Sequence, residues 1–363
     1  MEIEKLNLVI KPTLLCNAKC IYCHSLRPST ILSRDMLKDL IEKYGKFTEK
    51  HGFRDGYLYW HGGEPMLPSD AFYAYFLELK ERYLCHMDIE FGMQSNMGLY
   101  KNGRTRKIIS EMLTNRHINV CIDPFHPTRF LRNGESYLQN ALDSLRLLLK
   151  DGFHVGMVYV VHKRSLDAVE ETYYYFKNIG VGDVLYHPLE EFEDDEYKLT
   201  ADDWGEYLKR LWEVWESDGY SMPVAPLEDW FIHLTRGTPV TMCEYCIRSP
   251  EVRSVTVSPE GDLYPCPRYQ DRDAHCIGNI ANMTFDEIVA HPSSMIITTI
   301  KENQPPECQA CRFQSFCNSG CVITHDSSGK TQWCEGLKSF FQYLTTRNTK
   351  PVTRILRSSQ CEC

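Results

Sequence analysis

The stretch LLCNAKCIYCH (residues 14–24) closely follows the apolar segment LNLVIK (residues 6–11). The alternation in the apolar segment predicts a β-strand, which places Cys16, Cys20 and Cys23 just past the carboxyl end of that strand. Three thiolates this close together can hold three corners of a four-iron cluster and leave one iron open to an external ligand. The alternative is a zinc loop completed by His24 or by a distant residue.

Strand-like and helical patterns alternate through the first half of the chain. The further strands are predicted at 57–61, 89–94, 118–123, 154–161 and 184–189, and the helices at 34–50, 69–84, 104–115, 136–151 and 166–179. Strands separated by helices imply parallel βα units. We therefore expect an α/β fold, with a partial (β/α)6 TIM-like barrel over residues 1–190.

The pattern changes beyond residue 190. Helical stretches near 202–218 and 227–236 predict a helical bridge over residues 191–240. Residues 241–340 have weak periodicity and contain many of the cysteines, which predicts a loop-rich module held together by metal. Residues 341–363 are expected to form a helix end and a poorly ordered tail.

Composition narrows the class of protein. The 363 residues carry a net charge of -9, which argues against nucleic acid or an anionic membrane as a partner. No apolar run approaches the roughly 18 residues of a membrane span, and the N-terminus lacks the pattern of a secretory signal. We therefore expect a cytoplasmic protein, in which 16 cysteines indicate metal binding or redox chemistry rather than disulfides.

A second motif, HGGEP, follows the second predicted strand. Gly62 and Gly63 allow the backbone to approach a ligand closely, and the Glu64 carboxylate suits a ligand ammonium. Taken alone, Gly-Gly-Glu-Pro would predict only an ordinary turn that ends at Pro65. Its place one βα unit after the three cysteines makes the functional interpretation stronger.

Together, these motifs resemble the signature of radical S-adenosylmethionine (SAM) enzymes, including the aromatic residue before the last cysteine. The resemblance implies that the amino and carboxylate groups of SAM bind the open iron, and that an electron from the cluster cleaves the sulfonium to give a 5′-deoxyadenosyl radical. It also implies that these residues bind the cofactor: Tyr22, Gly62, Gly63, Glu64, Pro65, Ser95, Asn96 and Arg132.

The chain departs from the family motif at Cys121 and Pro124. The fourth strand ends in Cys121-Ile122-Asp123-Pro124, where the family more often has Ser-x-Asp-Gly, so the contact to the cofactor ribose stays open. Arg129 and Arg132 follow, and each either pairs a carboxylate or lies on a solvated surface.

The cysteine spacing in the last third resembles the SPASM extension of the same enzymes. Zinc ribbons are the alternative, but they use short uniform knuckles that these spacings do not match. The resemblance implies two auxiliary clusters with interleaved ligands: Cys243, Cys246, Cys266 and Cys321 for the first, and Cys308, Cys311, Cys317 and Cys334 for the second. The expected cofactors are therefore SAM and three 4Fe-4S clusters, one SAM-binding and two auxiliary.

The other cysteines have no predicted ligand role. Cys85 and Cys121 are expected to be buried structural residues. Cys276, Cys361 and Cys363 are assigned no task. A hairpin formed by strands at 254–257 and 262–264 is expected to present Cys266.

The resemblance implies hydrogen abstraction from a substrate carbon. The favoured hypothesis is a maturase that cross-links side chains of a ribosomally made precursor peptide, by a cyclophane-type carbon-carbon bond or a thioether, because the context YPCPRY (residues 264–269) resembles peptide maturases. Anaerobic sulfatase maturases are a second candidate, although that group has an Asp base where this chain has Pro267. A small-molecule alcohol dehydrogenase is the third, and a non-catalytic electron-transfer protein is disfavoured.

The favoured hypothesis carries three expected partners. They are a precursor peptide substrate, an external electron donor such as flavodoxin or ferredoxin, and a separate leader-binding protein. The first predicted strand begins at residue 6, which leaves no room for a preceding leader-binding domain, so a leader is expected to bind either the barrel and bridge surface or that separate protein.

Overall fold

A computed structural model describes residues 5–23, 30–190, 192, 194–237, 252–271 and 274–347. Its strands are β1 Lys5–Ile10, β2 Ala18–Cys20, β3 Asp55–Trp60, β4 Asp88–Ser95, β5 His117–Val120, β6 Arg129–Leu131, β7 His154–Val161, β8 Asp183–Pro188, β9 Val224–Ala225, β10 Val252–Val257, β11 Asp262–Tyr264 and β12 Gly278–Asn279. Its helices are α1 Arg34–His51, α2 Asp70–Tyr83, α3 Gly103–Met112, α4 Tyr137–Lys150, α5 Val169–Ile179, α6 Ala201–Ser217, α7 Leu227–Arg236, α8 Pro267–Asp271, α9 Phe285–Ala290, α10 Ile296–Glu302, α11 Pro306–Gln309, α12 Gln314–Cys317 and α13 Cys334–Thr346.

The chain divides into two compact units. The first contains residues 1–120, 129–155 and 248–297, and the second contains residues 121–128, 156–247 and 298–363. The boundaries expected from the sequence, near residues 190, 240 and 340, stay a prediction.

The first unit is built on a largely parallel sheet in the order β12-β11-β10-β1-β3-β4-β5. Strands β1, β3, β4, β5 and β10 run parallel, while β11 and β12 pair antiparallel at one edge. The central strands are apolar on both faces: Val9 and Ile10 in β1 and Leu58 and Trp60 in β3 are completely buried. Such continuous apolar runs are typical of parallel strands covered on both sides.

Helix α1 shows how the sequence sets the element boundaries. It begins after Ser33, whose side chain accepts a hydrogen bond from the Met36 amide, and it ends at Gly52, which has a left-handed φ of 74°. Its buried face includes Leu37 and Leu40, which recur at the spacing of one helical face.

The second unit contains the parallel strands β8 and β9, the part of β7 from residue 156 onward, and the helices α5, α6, α7 and α13. Helices α6 and α13 lie backbone to backbone. A Cβ on Gly205 would stand 2.5 Å from the Gly336 carbonyl oxygen, and one on Gly336 would collide with the Ala201 carbonyl. The absence of side chains at these two positions permits the close approach.

The predicted α/β class is confirmed, and the predicted strands and helices match the observed ones closely. The predicted hairpin is also present, because β10 and β11 pair antiparallel. Cys121 is buried as expected, but the prediction of a buried Cys85 is wrong: Cys85 is exposed just past the end of α2. No helix in the described ranges is long and apolar enough to cross a membrane.

Candidate functional site

The three cysteines of the first motif lie in a loop that a small ribbon anchors. Strand β2 ends at Cys20 and pairs antiparallel with β6, which places Cys20 opposite Arg129. The Cys23 amide donates to the Cys20 carbonyl oxygen at 3.2 Å, forming a turn between the second and third thiols. Cys16 and the other two cysteines are each half-buried.

The Gly-Gly-Glu-Pro loop is hydrogen-bonded to the segment that leads into Cys16. The Gly63 amide donates to the Thr13 carbonyl oxygen at 2.9 Å, and the Glu64 amide donates to the Leu15 carbonyl oxygen at 2.8 Å. Gly62 has a left-handed φ of 110°, and a Cβ on Gly63 would collide with the Leu15 carbonyl. Both glycines are therefore required by the contact between the two loops.

Glu64 links this loop to the end of β4. Its buried carboxylate accepts hydrogen bonds of 2.8 Å from the Met66 amide, the Ser95 hydroxyl and the Asn96 amide. Burial raises the pKa of Glu64 to about 7, although the three hydrogen bonds oppose that shift. The predicted cofactor residues Glu64, Ser95 and Asn96 thus lie together, and the carboxylate is held by internal donors.

Polar side chains also surround the cysteine loop. The Asn96 amide nitrogen lies 2.7 Å from the Asn17 side-chain oxygen and 3.5 Å from the Cys16 sulfur. Arg132 donates to the Cys16 carbonyl oxygen at 3.0 Å. Asn17 was not predicted as a site residue, and its position beside Cys16 in the motif was the available signal.

Arg129 contacts the cysteine loop more directly than the sequence indicates. Its guanidinium donates to the Cys20 sulfur at 3.5 Å and lies 5.1 Å from the centre of the Tyr22 ring. The Tyr22 ring therefore packs against the Arg129 guanidinium, which donates to the Cys20 thiol.

The electrostatics of the loop fit a metal cluster. Burial raises the pKa of Cys16 to about 12, and the charges of Glu64, Cys20 and Cys23 add to the shift. Without a cation the Cys16 thiol is protonated, whereas iron would stabilise its thiolate. The donor set of three thiolates matches a cluster with one iron open to another ligand.

Asp123 and His162 are buried polar residues of the second unit, and only Asp123 was singled out from the sequence. Asp123, which lies in the irregular family position, is buried and accepts a hydrogen bond from the Thr128 hydroxyl. His162, just past the end of β7, is buried with neither ring nitrogen hydrogen-bonded. Burial lowers the pKa of His162 to about 4; the Asp123 charge opposes this shift, and those of His126 and Arg164 add to it.

Four cysteines predicted as one ligand set line a single cavity in the second unit; they are Cys308, Cys311, Cys317 and Cys334. Burial raises the pKa of Cys317 to about 12, Lys301 opposes the shift, and the other three cysteines add to it. A cavity lined by four thiols fits an iron–sulfur cluster with four cysteine ligands.

The other predicted ligand set is only partly described. Cys266 is buried at the end of β11 in the first unit, and Cys321 lies in the second unit. Cys243 and Cys246 of this set lie outside the described residues, as do His24, Cys361 and Cys363, which do not belong to the set. This ligand set stays a prediction.

Two family models match the chain. The Radical SAM superfamily model matches residues 10–176, and the SPASM model, an iron-sulfur cluster-binding domain, matches residues 249–312. The first match contains the cysteine loop and the Gly-Gly-Glu-Pro loop.

Curated relatives match over nearly the whole chain. A serine-type anaerobic sulfatase-maturating enzyme of Klebsiella aerogenes is 25% identical over 346 residues, covering 90% of this chain and 82% of the relative. A cysteine-type anaerobic sulfatase-maturating enzyme of Clostridium novyi is 23% identical over 378 residues, covering 98% of each chain.

Solved structures share the fold. The structure of native anSMEcpe with bound AdoMet and the Cp18Cys peptide has a TM-score of 0.82 at 22% identity, covering 94% of this chain and 97% of that one. Streptococcus suis SuiB bound to its precursor peptide SuiA has a TM-score of 0.64 at 13% identity, covering 90% of this chain and 75% of that one. Both likenesses support the predicted partial barrel with a C-terminal SPASM module.

The prediction of a cross-linking precursor-peptide maturase is wrong. The near-full-length curated relatives are sulfatase-maturating enzymes, whereas the precursor-peptide neighbour SuiB is the more distant in structure. The expectation of a peptide cyclase rested on residues 264–269, a local context that does not determine which substrate the whole barrel accepts. A peptide as the class of substrate is a separate expectation, and both structural neighbours have a peptide bound.

The predicted cofactors are confirmed at the level of the two domains, which imply SAM, a SAM-binding 4Fe-4S cluster and auxiliary clusters. The chain therefore contains a radical S-adenosylmethionine domain followed by a SPASM iron–sulfur domain.

Proposed function

We propose that this radical SAM enzyme oxidises a Ser or Cys side chain of a polypeptide to the aldehyde of formylglycine, as sulfatase-maturating enzymes do. The observation that carries the proposal is the match to maturases of both the serine and cysteine types over 90% and 98% of the chain. The relatives' preferences differ, so the substrate residue of this chain is left as Ser or Cys.

The residues around the first motif would hold the cofactor for this reaction. We assign Cys16, Cys20 and Cys23 as cluster ligands, because burial and mutual repulsion make the thiolates depend on a cation. When bound, SAM supplies a hydrogen-abstracting radical. The internal bonds of Glu64 fix the loop that would contact the cofactor, so this loop is preorganised.

The oxidation removes two hydrogens from the substrate side chain. With a Ser substrate, one hydrogen atom leaves Cβ, the hydroxyl loses a proton, one electron is given up, and a carbon–oxygen double bond forms. With a Cys substrate the same losses give a thioaldehyde, which water hydrolyses to the aldehyde with release of hydrogen sulfide. The cavity lined by Cys308, Cys311, Cys317 and Cys334 would hold an auxiliary cluster that could accept the electron given up by the substrate. The protein must also supply a group that accepts the proton.

That proton acceptor differs from the one in the sulfatase-maturase group. Pro267 occupies the position of the group's Asp and has no side-chain base. The Pro267 carbonyl oxygen accepts a hydrogen bond of 2.9 Å from the ammonium of Lys11. Lys11 is completely buried and lies just past the end of β1. This bond fixes the turn after Cys266 to the strand that leads into the cysteine loop.

The proposal includes a polypeptide substrate, an external electron donor such as flavodoxin or ferredoxin, and a cytoplasmic location. The chain's high cysteine content suits a reducing compartment. A separate leader-binding protein belonged to the cross-linking hypothesis and has no part in this one.

Anaerobic co-expression with a sulfatase that requires formylglycine tests the proposal. We expect sulfatase activity with this protein and none with the Cys16→Ala variant, because that variant loses a ligand of the SAM-binding cluster. The test is run with the sulfatase carrying Ser at the target position and again with Cys there. If the sulfatase stayed inactive in both forms, the proposal would be contradicted.

A further inference from the structure

Ser319 differs from the other polar residues that line the four-cysteine cavity. Its hydroxyl is buried and has no hydrogen-bond partner. No other polar side chain that lines the cavity has both properties, leaving the thiols aside and counting only the described residues. Lys330 and Lys338, which also line the cavity, form ion pairs with Glu307 and Glu335. A buried hydroxyl without a partner is costly and therefore indicates a missing acceptor.

The backbone that carries Ser319 is unusual and firmly held. Asn318, Ser319 and Gly320 have left-handed φ values of 44°, 59° and 70° in succession, a conformation that residues other than glycine rarely adopt. The Lys301 ammonium donates to the carbonyl oxygens of Asn318 and Gly320, and the His325 ring nitrogen donates to that of Ser319 at 2.9 Å. The hydroxyl is thus attached to a loop with little freedom to move.

A side chain on the neighbouring residue would not fit. A Cβ on Gly320 would stand 2.7 Å from Cβ of Thr331, so the loop lies directly against the residues that precede Cys334. Strained backbone persists where surrounding contacts determine it, and such positions concentrate at functional sites.

We infer that the Ser319 hydroxyl donates a hydrogen bond to a sulfur atom of the iron–sulfur cluster in this cavity. The inference rests on the ligand set that we propose for the cavity, but not on the choice of substrate. Among the other lining side chains, the Glu307 carboxylate is paired with Lys330 and the Thr331 hydroxyl with Thr324, while Phe313, Leu337 and Phe341 form an apolar part of the wall. A cluster held in the cavity would add sulfur atoms, which accept hydrogen bonds.

This hydrogen bond has a defined consequence for the cluster. A donor to sulfur stabilises the reduced form, which carries more negative charge, and so raises the reduction potential. Ser319 is in this sense a positioning and tuning residue, since it touches the cluster and not the substrate.

The test is a redox titration of the reconstituted full-length protein, followed by electron paramagnetic resonance. It is done in a background in which Cys16, Cys20 and Cys23 are replaced by Ala, so that only auxiliary signals remain. Ser319→Ala and Ser319→Gly both remove the hydroxyl, and glycine also suits the left-handed backbone, which protects the test against misfolding. Ser144→Ala is the matched control, because Ser144 in α4 is buried without a partner but does not line the cavity.

We expect both Ser319 variants to lower the midpoint potential of one auxiliary cluster and to lose the coupling of an exchangeable proton to that cluster, with iron content unchanged. Ser144→Ala should change neither property. Wild-type potential and proton coupling in both iron-replete Ser319 variants would overturn the inference. If Cys311→Ala left the iron content unchanged, the ligand set itself would fail instead.

Discussion

The Ser95 hydroxyl donates a hydrogen bond of 2.8 Å to the buried carboxylate of Glu64. This bond joins the end of β4 to the Gly-Gly-Glu-Pro loop, which is itself bonded to the segment before the cysteine loop. Three parts of the proposed cofactor site are thus connected through Glu64, by its carboxylate on one side and its backbone amide on the other.

Glu64→Gln should weaken SAM binding. The amide would place its NH2 group against backbone or hydroxyl donors, and a disturbed hydrogen bond to a buried charged group costs about 1–3 kcal/mol, or roughly five- to 150-fold in affinity. Equilibrium dialysis of the reconstituted protein measures the affinity, with iron content as a check. Glu228→Gln, which alters a buried carboxyl in α7, is the control. Unchanged affinity in the Glu64 variant would reject its role in the site.

Cys311→Ala should lower the iron content by about four atoms per chain, because a four-iron cluster in the cavity would lose one of its four thiolates. Colorimetric iron and sulfide analysis after anaerobic reconstitution measures the loss. Cys85→Ala, which removes an exposed thiol away from the cavity, should leave the content unchanged. Equal loss in both variants would contradict the assignment of the cavity.

Gly336→Ala should destabilise the protein although alanine is the better helix former by about 1 kcal/mol. The added methyl group would meet the backbone of α6 at Ala201, and overpacking of this kind costs typically about 1–3 kcal/mol. Chemical denaturation measures the change. Gly103→Ala at the start of α3 is the matched control, because nothing lies near its Cβ and we expect a neutral or slightly stabilising effect. A stable Gly336 variant would show that α6 and α13 pack less closely than described.

Stability should fall in mild acid because of His162. Its pKa is lowered to about 4 in the folded protein by burial, so between pH 6.5 and pH 4 the unfolded chain binds a proton that the folded chain does not. From pH 7 to pH 5.5 this should remove about 1 kcal/mol from the free energy of unfolding. The His162→Phe variant should not lose this part of the free energy of unfolding. Subtracting one profile from the other removes any effect of acid on the clusters, because that effect is common to both proteins. Parallel pH profiles would refute the burial of a neutral imidazole.

Local sequence patterns predict much of this fold, since strand alternation, helix periodicity and caps such as Ser33 are read within a few residues. The parallel pairing of β10 with β1 was not predicted, because it joins Leu6 to Arg253 across most of the chain. The ribbon of β2 and β6 was missed because its strands have three residues each and carry little periodicity.

The candidate site divides in the same way. Cysteine spacing, together with the family resemblance, predicts which thiols are ligands, and these assignments stay predictions. It does not reveal that Glu64 is bonded internally, since its donors Ser95 and Asn96 lie about a βα unit away. Nor does it show that Ser319 is buried in the cavity, since Ser319 lies between two cysteines like any other spacer residue.

The most direct test of the proposed function follows the substrate hydrogen. The reconstituted protein is incubated anaerobically with SAM, a reductant and a sulfatase-derived peptide whose target Ser or Cys carries deuterium at Cβ. We predict deuterium in the 5′-deoxyadenosine and an aldehyde in the peptide that reacts with a hydrazine reagent. Retention of all deuterium in both peptides, or deuterium transfer without an aldehyde, would contradict the account.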